Sequence, residues 1–225
     1  MATVEHCLYC FESLVAELEG REPMALDDAE YPLFVTWNKL SPGSSSSSGR
    51  GDGDSGDDEG EYDLRGCIGT FEAQPLAAGL SSYAVIAALH DSRFPRVTAR
   101  ELPSLQCAVT LLTCFEDRGP AILDWEVGVH GIRISFQGSS GGRRLGATYL
   151  PDVAREQGWT REQALVSLMR KAGWEGPRAR WREAAEAGGM KLVRYRGDKE
   201  AVRYGEYKAW REWVDECWGE KEGGK

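Results

Sequence analysis

Two strings in this chain hold residue types that do chemistry. The first is Leu64-Arg65-Gly66-Cys67-Ile68-Gly69-Thr70-Phe71, a β-rich run with two glycines around a thiol. Glycine weakens a strand unless another backbone or a ligand must come close, so the run reads either as a pocket wall or as a bulged strand around a buried cysteine. The second is Leu123-Asp124-Trp125-Glu126-Val127-Gly128-Val129-His130-Gly131. As an extended strand it puts Glu126, Gly128 and His130 on one face, with a bare glycine between carboxylate and imidazole. Such a pair suits acid–base work: the carboxylate fixes one imidazole tautomer and raises its basicity, and the imidazole activates a thiol brought close by the fold. The bland alternative is a solvent-facing Glu and His without partners.

The elements that must position these residues can be read from periodicity. Val4, Cys7, Leu8, Phe11, Leu14, Val15 and Leu18 recur at helical steps and Gly20 stops them. A short β-rich run covers 33–37, a strand 64–71, an Ala-rich helix 76–89 and a strand 107–115. Ile132, Ile134 and Phe136 alternate, a glycine cluster at 138–142 turns the chain, and 144–150 returns as a hairpin closed by Pro151. Thr160-Arg161-Glu162-Gln163 is a capping-box pattern that opens a helix with Ala164, Leu165, Leu168 and Met169 on its stripe. A weaker helix at 180–187, a strand at 192–195 and a helix at 206–218 carrying Tyr207, Trp210, Val214 and Trp218 complete the chain. The pattern spells a mixed α+β (α/β) fold, with a mixed or antiparallel sheet flanked by helices and a second, smaller helical lobe.

Composition narrows the function classes. The chain has 225 residues, 41% hydrophobic and 28% charged, enough apolar content for a buried core. Its net charge of −9 is concentrated in 41–61, where six acids face one arginine among seven Ser and six Gly. That tract holds no hydrophobic residue to offset the cost of ordering its backbone, so it is expected to be a disordered loop inserted between paired strands. The expected domain spans 1–215, with 216–225 as a tail. No apolar run approaches the ~18 residues of a membrane span. The first twenty residues have neither a basic start nor a cleavage pattern, so the expected compartment is cytoplasm or nucleus. Six cysteines at this density are then reduced thiols, mostly in the core.

Four strings together resemble the AMMECR domain family, in its eukaryotic branch: Leu64 through Phe71 as written above, Asp91-Ser92-Arg93-Phe94-Pro95, Asp124-Trp125-Glu126-Val127-Gly128-Val129-His130-Gly131-Ile132-Arg133, and Ala147-Thr148-Tyr149-Leu150-Pro151. Tyr31-Pro32-Leu33-Phe34-Val35-Thr36-Trp37, Glu156-Gln157-Gly158-Trp159 and Arg194-Tyr195-Arg196 extend the likeness. The resemblance implies an α/β domain of two sublobes with a cleft lined by Arg65, Cys67, Glu126 and His130. It implies no established activity, and a pathway link to Memo-like and radical-SAM proteins. Two uses of such a cleft stay open. In a thiol enzyme Cys67 is the nucleophile, His130 the base, Glu126 the orienting carboxylate and Arg65 an anion binder. In a regulatory binding module the same groups recognise a small molecule or protein partner, with Gly66, Gly69 and Gly128 leaving room for it. The second is preferred. A Cys/His/Glu metal site has only three ligands and ranks last, so no metal or cofactor is expected.

Three weaker signals complete the survey. Cys7-Leu8-Tyr9-Cys10 beside His6 has CxxC spacing, but it lies in an amphipathic helix with no second CxxC, so burial of Cys7 is the expected role. Cys107 and Cys114 are an odd step apart and should face opposite ways. Residues 143–211 hold sixteen basic against nine acidic residues with aromatics interleaved, which ranks RNA binding third; spread over several elements and lacking an RNA-binding motif, they read better as solvated faces.

Overall fold

The first helix shows how the chain begins to pack. In this computed structural model, which describes residues 1–24, 26, 29–41, 61–138 and 143–222, helix α1 (Val4–Glu19) starts where the Thr3 N–H donates to Nδ1 of His6 at 3.1 Å. It stops at Gly20, whose φ of +70° suits a residue without a side chain, while Arg21 N donates to Ala16 O at 2.9 Å. Residues 7–16 are all buried, far more than one stripe, because α1 is covered on several sides.

The remaining elements are β1 (Glu30–Leu40), β2 (Tyr62–Pro75), α2 (Leu76–Leu89), a 3-10 turn (Ala99–Ser104), β3 (Leu105–Gly119), β4 (Gly131–Gln137), β5 (Arg144–Tyr149), α3 (Pro151–Glu156), α4 (Arg161–Lys171), α5 (Trp181–Ala187), β6 (Lys191–Arg203) and α6 (Tyr204–Glu222). The strands are ordered β2-β1-β3-β6-β4-β5, and the described pairings of β1 with β2 and β3, and of β4 with β5 and β6, are antiparallel. The chain forms two compact units, one of residues 1–111 and 199–225, the other of 112–198.

The first unit packs α1 and α2 on β1 to β3 around Phe11, Leu14, Trp37, Leu80, Leu105 and Leu111. Phe11 meets Trp37 edge-on at 4.9 Å and stacks on Tyr207 of α6 at 5.4 Å. Trp37 is fully buried and its Nε1–H donates to Ala84 O of α2 at 2.9 Å, so burying the indole leaves no donor unpaired. The second unit turns Ile132, Ile134 and Phe136 of β4 onto Leu165, Leu168 and Met169 of α4, with Trp125, Trp174 and Trp181 filling the edges. The Thr160 capping box forms as its spacing predicts, with reciprocal bonds of 3.2 and 2.8 Å between Thr160 and Gln163.

One expectation about architecture changes. The second unit is not a helical lobe, since it holds β4, β5 and parts of β3 and β6 beside its helices. The hairpin does close before Pro151, and that proline opens the short helix α3 at its first position, where its missing N–H costs nothing. The acidic tract expected to be disordered falls on residues outside those described, except at its ends. There Ser41 N donates to Glu61 O at 2.8 Å, extending the β1–β2 ladder by one pair.

Candidate functional site

The Cys67 string forms strand β2 of the first unit, at the outer edge of the strand order. An edge strand has unpaired N–H and C=O groups, and here the loop after α2 caps them. Cys67 N donates to Asp91 Oδ2 at 3.0 Å, and Arg93 Nη2 donates to Cys67 O at 3.0 Å. Arg93 also grips the Asp91 carboxylate through Nε at 2.9 Å and Nη2 at 2.6 Å. Arg93 and the Cys67 N–H together hold the Asp91 carboxyl far below the usual range although burial opposes this. The Asp91-Ser92-Arg93-Phe94-Pro95 string and the cysteine string thus serve each other.

The other members of the cysteine string are also held by protein. Arg65 donates to Glu101 through Nε at 3.2 Å and Nη2 at 3.3 Å, and to Pro95 O through Nη1 at 2.7 Å. Burial raises the Glu101 carboxyl, but Arg65, Lys39 and the Thr98 N–H outweigh it and bring it to about 2. A Cβ at Gly66 would lie 2.1 Å from Ala87 O, and one at Gly69 would lie 2.3 Å from Leu33 O. Both glycines therefore admit backbone, of α2 and of β1, the first of the two reasons that glycine in a strand allowed. The Cys67 thiol itself is half-buried, and the Thr36 hydroxyl across the ladder donates to Sγ at 3.1 Å.

The Glu126–His130 string lies in the second unit, and it is not a strand. Residues 120–130 form successive turns. His130 N donates to Glu126 O at 3.0 Å, and Gly128 has φ +81°, a left-handed value that glycine takes without strain. A Cβ at Gly128 would stand 3.1 Å from Arg155 Cδ. The two-residue spacing of Glu126, Gly128 and His130 would put them on one face of an extended strand, but a glycine at positive φ closes a turn instead.

The turn nevertheless joins Glu126 to His130, by backbone instead of carboxylate: Glu126 N donates to His130 Nδ1 at 3.1 Å. Nδ1 is thereby the acceptor, so the neutral ring carries its proton on Nε2. Burial, Arg194 and Arg196 lower the imidazole below its usual 6.5, against weaker opposition from Glu116 and Glu126. His130 is neutral at neutral pH.

Around this turn Asp124, Trp125, Glu126, Val127, His130, Arg161 and Arg194 line a hollow of about 380 Å³. Its charges are largely paired. Arg194 donates to Glu116 through Nη2 at 2.7 Å and to Asp124 through Nη1 at 3.1 Å. Arg118 holds the other oxygen of Asp124 through Nε at 2.6 Å. Arg161 stood in the sequence only within a capping-box pattern and Arg194 only within the Arg194-Tyr195-Arg196 string; neither was expected at the site, because they come from α4 and β6, 31 residues or more beyond His130 in the chain. The hollow is formed within the second unit, and Cys67 and Arg65 are not among its lining residues.

Elsewhere, Cys7 and Cys10 of the CxxC and Cys107 of β3 are fully buried together, and burial followed by their mutual hydrogen bonding pushes the Cys107 thiol well up. Spacing did not announce this grouping, because Cys107 reaches it through the fold. Cys114 is exposed at a φ of +52°. Among the described residues no group of three or more His, Cys, Asp or Glu is placed to hold a metal ion, and no helix is long and apolar enough to cross a membrane.

The sequence profile of the AMMECR1 family matches residues 7–199. The chain belongs to the AMMECR1 family. An uncharacterized protein of Arabidopsis thaliana is 43% identical over 208 residues, 92% of this chain and 87% of its own length. An uncharacterized protein of Schizosaccharomyces pombe is 41% identical over 177 residues, 76% of this chain and 81% of its own. The crystal structure of uncharacterized protein PH0010 from Pyrococcus horikoshii has the same fold, with a TM-score of 0.61 at 24% identity over 86% of this chain and 87% of that one. The AMMECR1 fold is thus a mixed α+β arrangement, as the chain's periodicity indicated.

Proposed function

We propose that this AMMECR1-family chain is an intracellular ligand-binding regulatory module, and that the hollow at the 120–130 turns is its binding site. The observation that carries this reading is His130, whose ring is held at Nδ1 by the Glu126 N–H in a hollow of about 380 Å³. That volume falls within the ~300–1,000 Å³ of small-molecule sites. Holding one nitrogen by backbone leaves the other to read a ligand. Binding is favoured over acid–base work because no carboxylate hydrogen-bonds the imidazole among the described residues, and its basicity is lowered, not raised. The full chain is incubated with a defined metabolite pool and read by native mass spectrometry. The reading expects a compound retained by the wild type and lost in His130→Ala; a wild type that retains none of the pool counts against it.

Thiol chemistry at Cys67 is the second reading, favoured by one observation: the residue is half-buried and its Sγ receives the Thr36 hydroxyl at 3.1 Å. RNA binding has less support. Within 143–211, Arg155, Arg180, Arg182, Arg194 and Arg211 pair with acids, and Arg170 and Lys171 donate to carbonyls.

A further inference from the structure

The hollow in the second unit contains more donors than the protein satisfies. Trp125 is 3% exposed, and its indole Nε1 is the buried side-chain nitrogen left without a hydrogen-bond partner among the described residues. A buried donor without an acceptor costs about 1–3 kcal/mol, and the fully buried Trp37 indole meets that need with a carbonyl. His130 adds a second donor, because its Nδ1 is the acceptor of the Glu126 N–H and Nε2 keeps the proton. Arg161 adds a third. One Nη donates to Leu123 O at 2.9 Å, and the guanidinium has no ion pair among the described residues.

The remaining charges on the wall cancel. Asp124 lies between Arg118 and Arg194, and Arg194 is shared with Glu116, so these four form a neutral set. That leaves Arg161 as the unpaired cation of the lining and Glu126 as its exposed anion. Trp125, His130 and Arg161, three residues with donors to spare and one of them charged, line this hollow together, and the exposed Glu126 is the one unpaired anion among its lining residues.

We infer that the hollow takes its ligand by a single anionic oxygen group, a carboxylate or a phosphate, bound by Trp125 Nε1–H, His130 Nε2–H and the Arg161 guanidinium. This rests on the reading of the hollow as a binding site. One group is specified because the Glu126 carboxylate on the same wall repels a ligand that carries a second anionic group. A phosphomonoester and a simple organic acid share the required chemistry.

The test uses the full chain labelled with nitrogen-15, with the Trp125 indole signal assigned from Trp125→Phe. Sodium acetate, inorganic phosphate and neutral acetamide are titrated separately at constant ionic strength. The inference expects a saturable shift of the Trp125 indole signal with acetate or phosphate, and the stronger of the two identifies the group. Arg161→Gln should weaken that binding about tenfold, and Glu126→Gln should tighten it roughly two- to fivefold. An indole signal unmoved by either anion up to about 50 mM overturns the inference, as does an Arg161→Gln protein that responds like the wild type. If acetamide moves the signal and the anions do not, the anionic assignment falls while the hollow remains a binding site. Silence toward all three probes and toward the metabolite pool removes both.

Discussion

The backbone N–H of Glu126 donates to Nδ1 of His130 at 3.1 Å, so the imidazole is oriented by its own turn and not by the neighbouring carboxylate. A backbone donor is always protonated and does not titrate, so the tautomer it selects is independent of pH as long as the ring is neutral. Nitrogen-15 spectra should show His130 with its proton on Nε2 at neutral pH; a ring protonated on Nδ1 contradicts this geometry.

The same ring makes a pH prediction whose sign follows from its lowered pKa. The unfolded chain binds the proton more readily than the folded one, so stability rises with pH through this interval. His130's contribution is complete above its usual 6.5 and is lost as pH falls toward its lower folded value. Burial, Arg194 and Arg196 disfavour the cation, and Glu116 and Glu126 favour it. Urea midpoints of the wild type should therefore fall more steeply than those of His130→Asn between about pH 7 and pH 5; parallel curves contradict this.

Glu101 governs a second, more acidic window. Its carboxyl, lowered from 4.5 to about 2, stabilises the fold above about pH 4.5 and loses that contribution as pH falls toward its folded value. Glu101→Gln should cost about 2 kcal/mol at neutral pH and much less near pH 2, because acid already removes the Arg65 and Lys39 pairing there. Denaturant unfolding at the two pH values checks it, and an equal loss at both would show that the charge does not matter.

Gly66→Ala should be severely destabilising, by about 3 kcal/mol or more, because its Cβ would stand 2.1 Å from a helix carbonyl that cannot turn aside. Gly205→Ala is the control. Nothing lies within 4 Å of a Cβ there, and alanine in the first turn of α6 should be neutral or stabilising by roughly 0.5 kcal/mol. Melting temperatures of the pair separate packing from ligand binding as the reason for the glycine at position 66. A Gly66→Ala protein of wild-type stability would return that glycine to the list of ligand contacts.

Thiol accessibility ranks the six cysteines. Cys114 and Cys217 are exposed, Cys67 is half-buried, and Cys7, Cys10 and Cys107 are buried. By exposure alone an alkylating reagent labels Cys114 and Cys217 first, Cys67 next and the other three only on unfolding. Mass spectrometry of a labelling time course reads the order. Cys67 reacting ahead of the two exposed thiols would establish an activated sulfur and favour thiol chemistry over binding.

Local order is written in this sequence wherever one periodicity runs uninterrupted. The α1 stripe, the 76–89 helix, the Ile132–Ile134–Phe136 alternation and the Thr160 capping box each depend on neighbours within a few residues, and each element forms where its pattern predicts. The sequence also marked positions 126 and 130 as a pair, although it implied a strand; a backbone turn at Gly128 makes the link instead, and alternation alone does not distinguish the two. What only the tertiary structure decided are the partnerships across long separations. Arg65 meets Glu101, Asp91 caps Cys67, and Tyr207 donates to the buried Glu12 carboxylate at 2.8 Å across 195 residues. Charge pairing and desolvation depend on distance in space, and a chain pattern encodes distance only along the chain. For the same reason the unpaired Trp125 donor and the Arg161 cation became visible as one site only once the turns, α4 and β6 were folded around a single hollow.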